Sequence, residues 1–339
     1  MPDENKNIGG ITVTVAVDAM GGDNAPVAII KGAAEAASEQ KNIKILLIGQ
    51  ENVLSSELGK YTYEKDRLEI IPASEVILTE ESPTNAIRNK KDSSMVVGLN
   101  LVKAGKAGAF VSAGSTGALL AGATVIIGRL KGIERPALAA LFPNEKGYTF
   151  LIDVGANVDC KPNYLLQFGQ MGSVYMEHVM GVKNPRVGLV NIGAEKEKGD
   201  ALTKEAHLLL EASDLNFIGN AEARDIPGGV ADVAVCDGFV GNVILKYSEG
   251  FALSLLSMIK EELMSTTASK LGALLAKGSF KNLKKRFDPS EIGGAPFLGL
   301  KGLVVKAHGS SDARAVKNAI KQCAVFIEKD IVNKLAEKV

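Results

Sequence analysis

The sequence predicts a doubly wound α/β fold with a mainly parallel sheet, and three observations carry that prediction. Short β-rich apolar runs alternate with longer helical patterns. Most of the runs stop at a turn that mixes glycine with a small polar side chain. The composition, 46% hydrophobic and 23% charged over 339 residues with 36 glycines and no tryptophan, is that of a globular chain with many tight turns. Such a length suits one large α/β domain or two intimately joined lobes.

Residues 1–10 are polar and charged with no apolar stretch of signal-peptide type, and read as a flexible leader before a single α/β unit over 11–339. The first strand, 12–17, runs into Asp18-Ala19-Met20-Gly21-Gly22-Asp23-Asn24, where Asn24 before Pro26 marks the start of a helix over 26–40. Strands follow at 44–48 and 68–71. The next, 109–111, leads into Ser112-Ala113-Gly114-Ser115-Thr116-Gly117. The uncharged stretch 108–128 is as long as a membrane span, but lipid-exposed turn backbone is not tolerated in hydrocarbon, so it reads as a buried strand, turn and helix. Further strands at 150–153, 186–190, 216–218 and 233–236 end at Asp153-Val154-Gly155-Ala156-Asn157, Asn191-Ile192-Gly193, Gly219-Asn220 and Asp237-Gly238-Phe239-Val240-Gly241-Asn242, and a last strand at 303–305 precedes Ser310 and Ser311. Those serines start a last helix over 312–334.

In a doubly wound sheet, ligands sit outside the carboxyl ends of the strands. Glycine lets the backbone approach an anion, and Ser, Thr and Asn add neutral donors beside the free amides of a helix start. Any one such turn is equally an ordinary connection needing a glycine and a cap; six in one chain favour a phosphate-bearing ligand. The candidate binding residues are Asp18, Gly21, Gly22, Asp23, Asn24, Ser112, Gly114, Ser115, Thr116, Gly117, Asn157, Asn191, Gly193, Asn220 and Asp237. Neither GxGxxG nor GxxxxGK[ST] stands at a strand end, so dinucleotide and P-loop readings lack support and no cofactor is expected.

Lys plus Arg equals Asp plus Glu at 39 each, which excludes a global attraction to nucleic acid or membrane. Three widely spaced cysteines form neither a disulfide framework nor a CxxC motif, and a reducing cytoplasm fits them. Three histidines without close His/Cys spacing argue against a metal site. Cys236 beside Asp237 reads as a buried structural thiol, with a nucleophile as the alternative.

Taken together and in order, six segments closely resemble the PlsX family, the acyl-carrier-protein-dependent phosphate acyltransferases of bacterial phospholipid synthesis. They are Val17-Asp18-Ala19-Met20-Gly21-Gly22-Asp23, Ser112-Ala113-Gly114-Ser115-Thr116-Gly117-Ala118, Asp153-Val154-Gly155-Ala156-Asn157-Val158-Asp159, Asn220-Ala221-Glu222-Ala223-Arg224-Asp225, Asp237-Gly238-Phe239-Val240-Gly241-Asn242 and Ala307-His308-Gly309-Ser310-Ser311-Asp312. The resemblance implies a homodimeric cytoplasmic enzyme with peripheral membrane contact. It implies transfer of a long-chain acyl group from acyl carrier protein to inorganic phosphate, the acyl phosphate passing to a membrane glycerol-phosphate acyltransferase. It also implies a fold shared with phosphotransacetylases and the isocitrate/isopropylmalate dehydrogenases. In those dehydrogenases the segment like 232–246 supplies aspartates to a divalent metal, whereas Asn242 and Lys246 stand here. Exchanging two anions for an amide and an ammonium favours phosphate over a cation, so no metal is expected.

Phosphate is largely dianionic near neutral pH, its second ionisation lying near that of phosphate esters at about 6. Its attack on a thioester therefore needs orientation and charge compensation more than a strong base. Amides around Gly21 and Gly22 and the 112–117 turn are candidate phosphate or oxyanion donors. Asn157, Asn191, Asn220 and Asn242 are candidate orienting groups, Lys246 a charge-offsetting cation, and His308 a donor to the leaving thiolate or to phosphate. A snorkelling lysine and a helix-capping turn are the structural alternatives for Lys246 and His308. Asp18 and Asp23 suit bracing the turn. With no convincing nucleophile–base pair, direct transfer without an acyl-enzyme is expected.

Residues 251–286 interleave apolar side chains with Lys260, Lys270, Lys277, Lys281, Lys284, Lys285 and Arg286, and break at Ser265-Thr266-Thr267, which predicts a helical hairpin. Lys277, Lys281, Lys284, Lys285 and Arg286 form a basic end suited to acyl carrier protein or anionic lipid; a subunit-interface hairpin fits the same pattern. The alternatives to acyl-carrier-protein use are a phosphotransacetylase-like enzyme using acyl-CoA, disfavoured by the hairpin, and a non-catalytic membrane-associated scaffold, which leaves the polar strand ends without a purpose.

Overall fold

An apolar run becomes a central parallel strand when both its faces are covered, and burial marks where this occurs. The computed structural model describes residues 13–338; the 1–10 leader lies outside them. In chain order the elements begin β1 (Val13–Asp18), α1 (Val27–Glu39), β2 (Ile43–Gly49), α2 (Glu51–Leu58), β3 (Leu68–Pro72), α3 (Pro83–Asn89) and α4 (Ser94–Lys103). There follow β4 (Ala109–Ser112), α5 (Thr116–Gly122), β5 (Ala137–Asn144), β6 (Gly147–Ile152), α6 (Pro162–His178), β7 (Val187–Asn191), α7 (Ala201–Glu211) and β8 (Phe217–Glu222). The last are β9 (Val233–Val235), α8 (Gly238–Leu263), α9 (Thr267–Arg286), α10 (Pro289–Ile292), β10 (Ala295–Leu298), β11 (Leu303–Lys306), α11 (Ala313–Glu328) and α12 (Ile331–Lys338). The chain divides into two compact units, one of residues up to Ile127 with Gly302–Glu328, the other of Gly128–Lys301 with the residues from Lys329 on.

In the first unit the strand order is β3-β2-β1-β4-β11, parallel throughout. Every residue of β4 and β11 is buried, so successive side chains meet cover on both faces. The order turns at β1, with β2 and β3 on one side and β4 and β11 on the other, which places a crevice beyond the ends of β1 and β4. The 108–128 stretch is a buried strand, a turn and α5, continued by a π-helical turn over Ala123–Ile127. Among the described residues no helix is long and apolar enough to cross a membrane.

In the second unit the order is β10-β5-β6-β9-β7-β8. β10, β5 and β6 are antiparallel neighbours, and β6, β9, β7 and β8 run parallel. The core gathers on α6, where Tyr175 stacks on Phe150 of β6 with ring centres 4.0 Å apart.

Four local expectations are corrected. Asn24 does not cap α1; its amide donates to the carbonyls of Ser310 and Ser311, at 3.0 and 3.3 Å, and Pro26 takes the cap position. The last helix is capped by Asp312, whose carboxylate accepts the Ala315 amide at 2.8 Å, rather than by Ser310 or Ser311. It does not run through to 334, because Asp330 adopts a left-handed φ of 51° between α11 and α12. Gly219-Asn220 is not a strand-end turn: both residues lie inside β8, where Gly219 has φ 90° and the β7 pairing shifts register. Strands β5 and β10 were not anticipated, since the first reads Ala-Leu-Ala-Ala-Leu, with no β-branched residue, and the second spans only four residues.

Candidate functional site

At the crevice of the first unit, three strand ends carry polar groups in one row. β1 and β4 pair as far as Val17 with Val111; Asp18 and Ser112 come next, and Lys306 of β11 pairs with Ser112. The Asp18 carboxylate accepts Ser112 Oγ at 2.7 Å and the Met20 amide at 3.1 Å. Ser112 Oγ in turn accepts the Gly114 amide at 3.1 Å, so one buried hydroxyl links both turns. Gly21 and Gly114 approach so closely that a β-carbon on Gly21 would lie 2.8 Å from the Gly114 nitrogen. Gly22, at φ 108°, comes near Gly309, whose carbonyl accepts the Asp23 amide at 2.8 Å. The turns bearing Asp18, Gly21, Gly22, Asp23, Asn24, Ser112 and Gly114 are therefore packed with the 307–312 turn.

Ser115 caps α5 through the Ala118 amide at 3.4 Å, and Thr116 and Gly117 open that helix. His308 is exposed; its Nδ1 accepts the Ser310 amide at 3.2 Å and lies 2.8 Å from Ser310 Oγ. That acceptor role leaves the proton of a neutral ring on Nε2. His308 thus shapes its own turn, and the helix cap falls to Asp312.

Lys306 was not anticipated as a site residue. It is 9% exposed, and its ammonium donates to the carbonyl of Ala113 at 3.1 Å and to that of Ala307. A lysine closing a fully apolar strand is the signal that could have found it, because such a run offers its ammonium nowhere cheap to lie.

In the second unit Asp153 ends β6 with no exposed surface. It accepts five N–H donors: the amides of Leu138, Gly155, Ala156 and Asn157, and Asn157 Nδ2, at 2.7–3.2 Å. Burial outweighs them and pushes its carboxyl up to about 6, from an ordinary value of 3.8. Its contribution to stability is thus fullest below pH 3.8 and is lost as pH rises through 6. Relative to Asp153→Asn, the parent chain should gain about 2–3 kcal/mol as pH falls from 7 to 4. Urea unfolding of both chains across that range checks this, and a pH-independent difference would refute it.

Other predicted side chains in this unit are engaged within the protein. Asn157 Nδ2 donates to Pro136 O and Asp153, at 2.8 and 2.7 Å. Asn191 Oδ1 accepts the Ile192 amide and its Nδ2 donates to Lys198 O, folding the loop that holds Gly193. Asn220 meets the buried His207 Nδ1 at 2.9 Å and donates to Glu195 O at 2.8 Å. These three amides brace loops. Asp237 caps α8, accepting the Phe239 and Val240 amides at 2.9 Å each. Asn242, one turn into α8, faces Gly155, where a β-carbon would lie 3.7 Å from its Oδ1. Lys246 follows a turn later and pairs with Glu249 at 3.2 Å. Cys236 is buried at the end of β9, and burial drives its thiol well above the ordinary value, which disarms it as a nucleophile.

The predicted hairpin is α8 and α9, broken at Ser265 and Thr266. Phe239, Val243, Tyr247 and Phe251 recur every four residues along α8 and are 50–71% exposed. At the basic end, Lys277, Lys281 and Lys284 are exposed, whereas Lys285 pairs with Glu291 at 3.4 Å and Arg286 donates to Asn144 O. Arg286 therefore serves the fold as well as the charge.

The family model described as fatty acid synthesis protein matches residues 13–334. A phosphate acyltransferase of Clostridium botulinum (strain Loch Maree / Type A3) is 55% identical over 321 residues, covering 95% of this chain and 96% of its own. The phosphate acyltransferase of Clostridium acetobutylicum is 53% identical over 324 residues, covering 96% and 98%. Among solved structures, a phosphotransacetylase from Streptococcus pyogenes superposes with a TM-score of 0.61 at 17% identity, covering 94% of each chain, which establishes likeness of fold.

Proposed function

The chain belongs to the fatty acid synthesis protein family of phosphate acyltransferases, and we propose that it moves a long-chain acyl group from acyl carrier protein to inorganic phosphate, releasing acyl phosphate. The observation that carries this reading is the packing of the β1, β4 and β11 turns, where glycine backbones close on one another around the Asp18–Ser112 hydrogen bond. Turns held this rigidly suit an anion that is itself a reactant.

A phosphate oxygen attacks the thioester carbonyl, forming the O–C bond and a tetrahedral oxyanion. The oxyanion collapses as the C–S bond breaks and the carrier's thiolate leaves, taking a proton. In the first unit, amides around Gly21, Gly22 and the 112–117 turn are the proposed donors to phosphate or to the oxyanion, and His308 the proposed proton donor. In the second, Asn242 is proposed to orient substrate and Lys246 to offset charge. The buried thiol of Cys236 supports direct transfer without an acyl-enzyme.

Purified protein given palmitoyl-carrier protein and phosphate should yield hydroxylamine-trappable acyl phosphate. Turnover with acetyl-CoA in place of the carrier protein would instead favour the phosphotransacetylase-like reading that the fold likeness raises.

The proposal extends to a homodimer touching a membrane peripherally and passing product to a membrane glycerol-phosphate acyltransferase. The exposed stripe of α8 and the basic end of α9 support it. Reversing Lys277, Lys281 and Lys284 to glutamate, while keeping Arg286, should reduce carrier-protein use or binding to anionic liposomes by about tenfold with the melting temperature unchanged. Unchanged values in both assays would remove both roles.

A further inference from the structure

We infer that the basic loop 128–136, with the segment 299–301 paired to it, is the docking surface for the acidic carrier protein that delivers the acyl group. The inference rests on the carrier-dependent reading above and deepens it, giving the carrier a surface in the second unit distinct from the basic end of α9.

The loop that leads into β5 reads Gly128-Arg129-Leu130-Lys131-Gly132-Ile133-Glu134-Arg135-Pro136. It lies against Gly299-Leu300-Lys301, the Leu130 amide donating to Gly299 O and the Lys301 amide to Gly128 O, each at 2.9 Å. A β-carbon on Gly128 would lie 3.8 Å from Lys301 Cδ, so that lysine's stem runs along the loop beside Arg129. Arg129, Lys131, Arg135 and Lys301 thus stand on two adjoining segments, all exposed, with Glu134 the one acid among them. Arg129 donates to Glu134 O, which brings its guanidinium to the residue before Arg135. Among the described residues Lys131, Arg135 and Lys301 form no side-chain hydrogen bond or ion pair. Glu134 is not their counter-ion: its Oε1 accepts Asn163 Nδ2 at the start of α6. The same helix fixes the loop, since Gln167 Oε1 accepts the Glu134 amide and its Nε2 donates to Gly132 O, both at 2.9 Å.

A loop held in place before contact loses little freedom on binding, and unneutralised charges of one sign steer an oppositely charged protein toward it. The charge stands here without exposed apolar surface. Leu130, Ile133 and Leu300 are buried, so the loop has nothing to insert among acyl chains. α9 differs, because Leu271, Leu274 and Leu275 are 62–90% exposed on the helix that carries its lysines, which is the pattern of a helix lying on lipid. The hydrated carboxylates of an acidic protein suit the loop, and anionic lipid suits α9.

Lys131→Glu, Arg135→Glu and Lys301→Glu combined reverse three of the charges and keep Arg129, whose bond to Glu134 O shapes the loop. At low salt the KM for palmitoyl-carrier protein should rise about 10- to 100-fold, with kcat and the KM for phosphate changed less than about threefold and the melting temperature held. Added salt should raise the parent's carrier KM and narrow the gap between the two proteins. A carrier KM within about twofold of the parent, or a phosphate KM rising in step with it, would overturn the inference.

Binding of the carrier protein, followed by fluorescence anisotropy in the absence of phosphate, makes the test independent of turnover. Binding by the parent that weakens at least about tenfold in the triple variant upholds the surface, even if the parent makes no acyl phosphate and the functional reading itself falls. Equal binding by both, or none by the parent, overturns it. So does loss of binding to phosphatidylglycerol-containing vesicles with carrier binding unchanged, which would make the loop a lipid contact. Should the triple variant fail to fold, the parent chain answers alone. The carrier protein should slow acetylation of Lys131 and Lys301 by at least about threefold, read by peptide mapping. Labelling of both at the unprotected rate, with or without protection of Lys281 on α9, would sink the proposal.

Discussion

Alanine at Gly241 is expected to destabilise the chain by at least about 3 kcal/mol, lowering the melting temperature by roughly 6–12 °C. Its β-carbon would lie 1.9 Å from the carbonyl oxygen of Asp153 and 2.9 Å from Cys236 Sγ. The first obstacle is backbone at the end of β6, held by the five donors on the Asp153 side chain, and cannot swing aside as a flexible side chain would. The start of α8 must move instead, carrying Asn242 with it and breaking the contact between the Gly238 amide and Asn157 O at 2.7 Å. Gly250 of the same helix is the control, because a β-carbon there meets nothing within 4 Å. Gly250→Ala should be neutral or stabilising by about 0.5–1 kcal/mol, through helix propensity alone. Equal melting temperatures for the two variants would show that α8 is not pressed onto β6 as described.

This contrast marks what a sequence can convey. The two glycines belong to one helix and differ only in what a distant segment brings against them. The parallel strands were legible because burial on both faces demands continuous apolar runs, and the turns of the first unit because glycine beside Asp, Ser or Asn is a local pattern. The duties of individual amides were not. Asn157 spends both N–H groups inside its own unit, one of them on a carbonyl 21 residues away, and Asn220 reaches Glu195 across 25. Arg286 reads as one more charge in a basic run, yet it contacts Asn144, 142 residues earlier. Such partners are chosen by packing, which composition and spacing do not encode. β5 was hidden for a related reason: an Ala-rich segment becomes a strand here because β6 and β10 lie on either side of it.

Gly21→Ala should cost acyl phosphate formation at least about 100-fold, the largest loss expected from a single methyl group in the first unit. A β-carbon at Gly21 would lie 2.5 Å from Asp18 Oδ2, 2.8 Å from the Gly114 nitrogen and 3.0 Å from the Gly114 α-carbon. Asp18 Oδ2 is the atom that accepts Ser112 Oγ, so rotating the carboxylate away to relieve the first contact would break the bond joining the two turns. The other two contacts are with backbone and are relieved only if the turns separate. Either response shifts the amides of one turn against those of the other, and donors misplaced by about 1 Å lose their effect on a developing charge. The accompanying stability loss should be moderate, about 1–3 kcal/mol, the range usual for overpacking by one methyl group. Activity and stability should therefore separate: the variant folds, melts a few degrees lower, and scarcely turns over. Hydroxylamine trapping beside a melting curve reads both. Near-parental turnover with a lowered melting temperature would mean that these turns hold the fold together without holding the reacting groups.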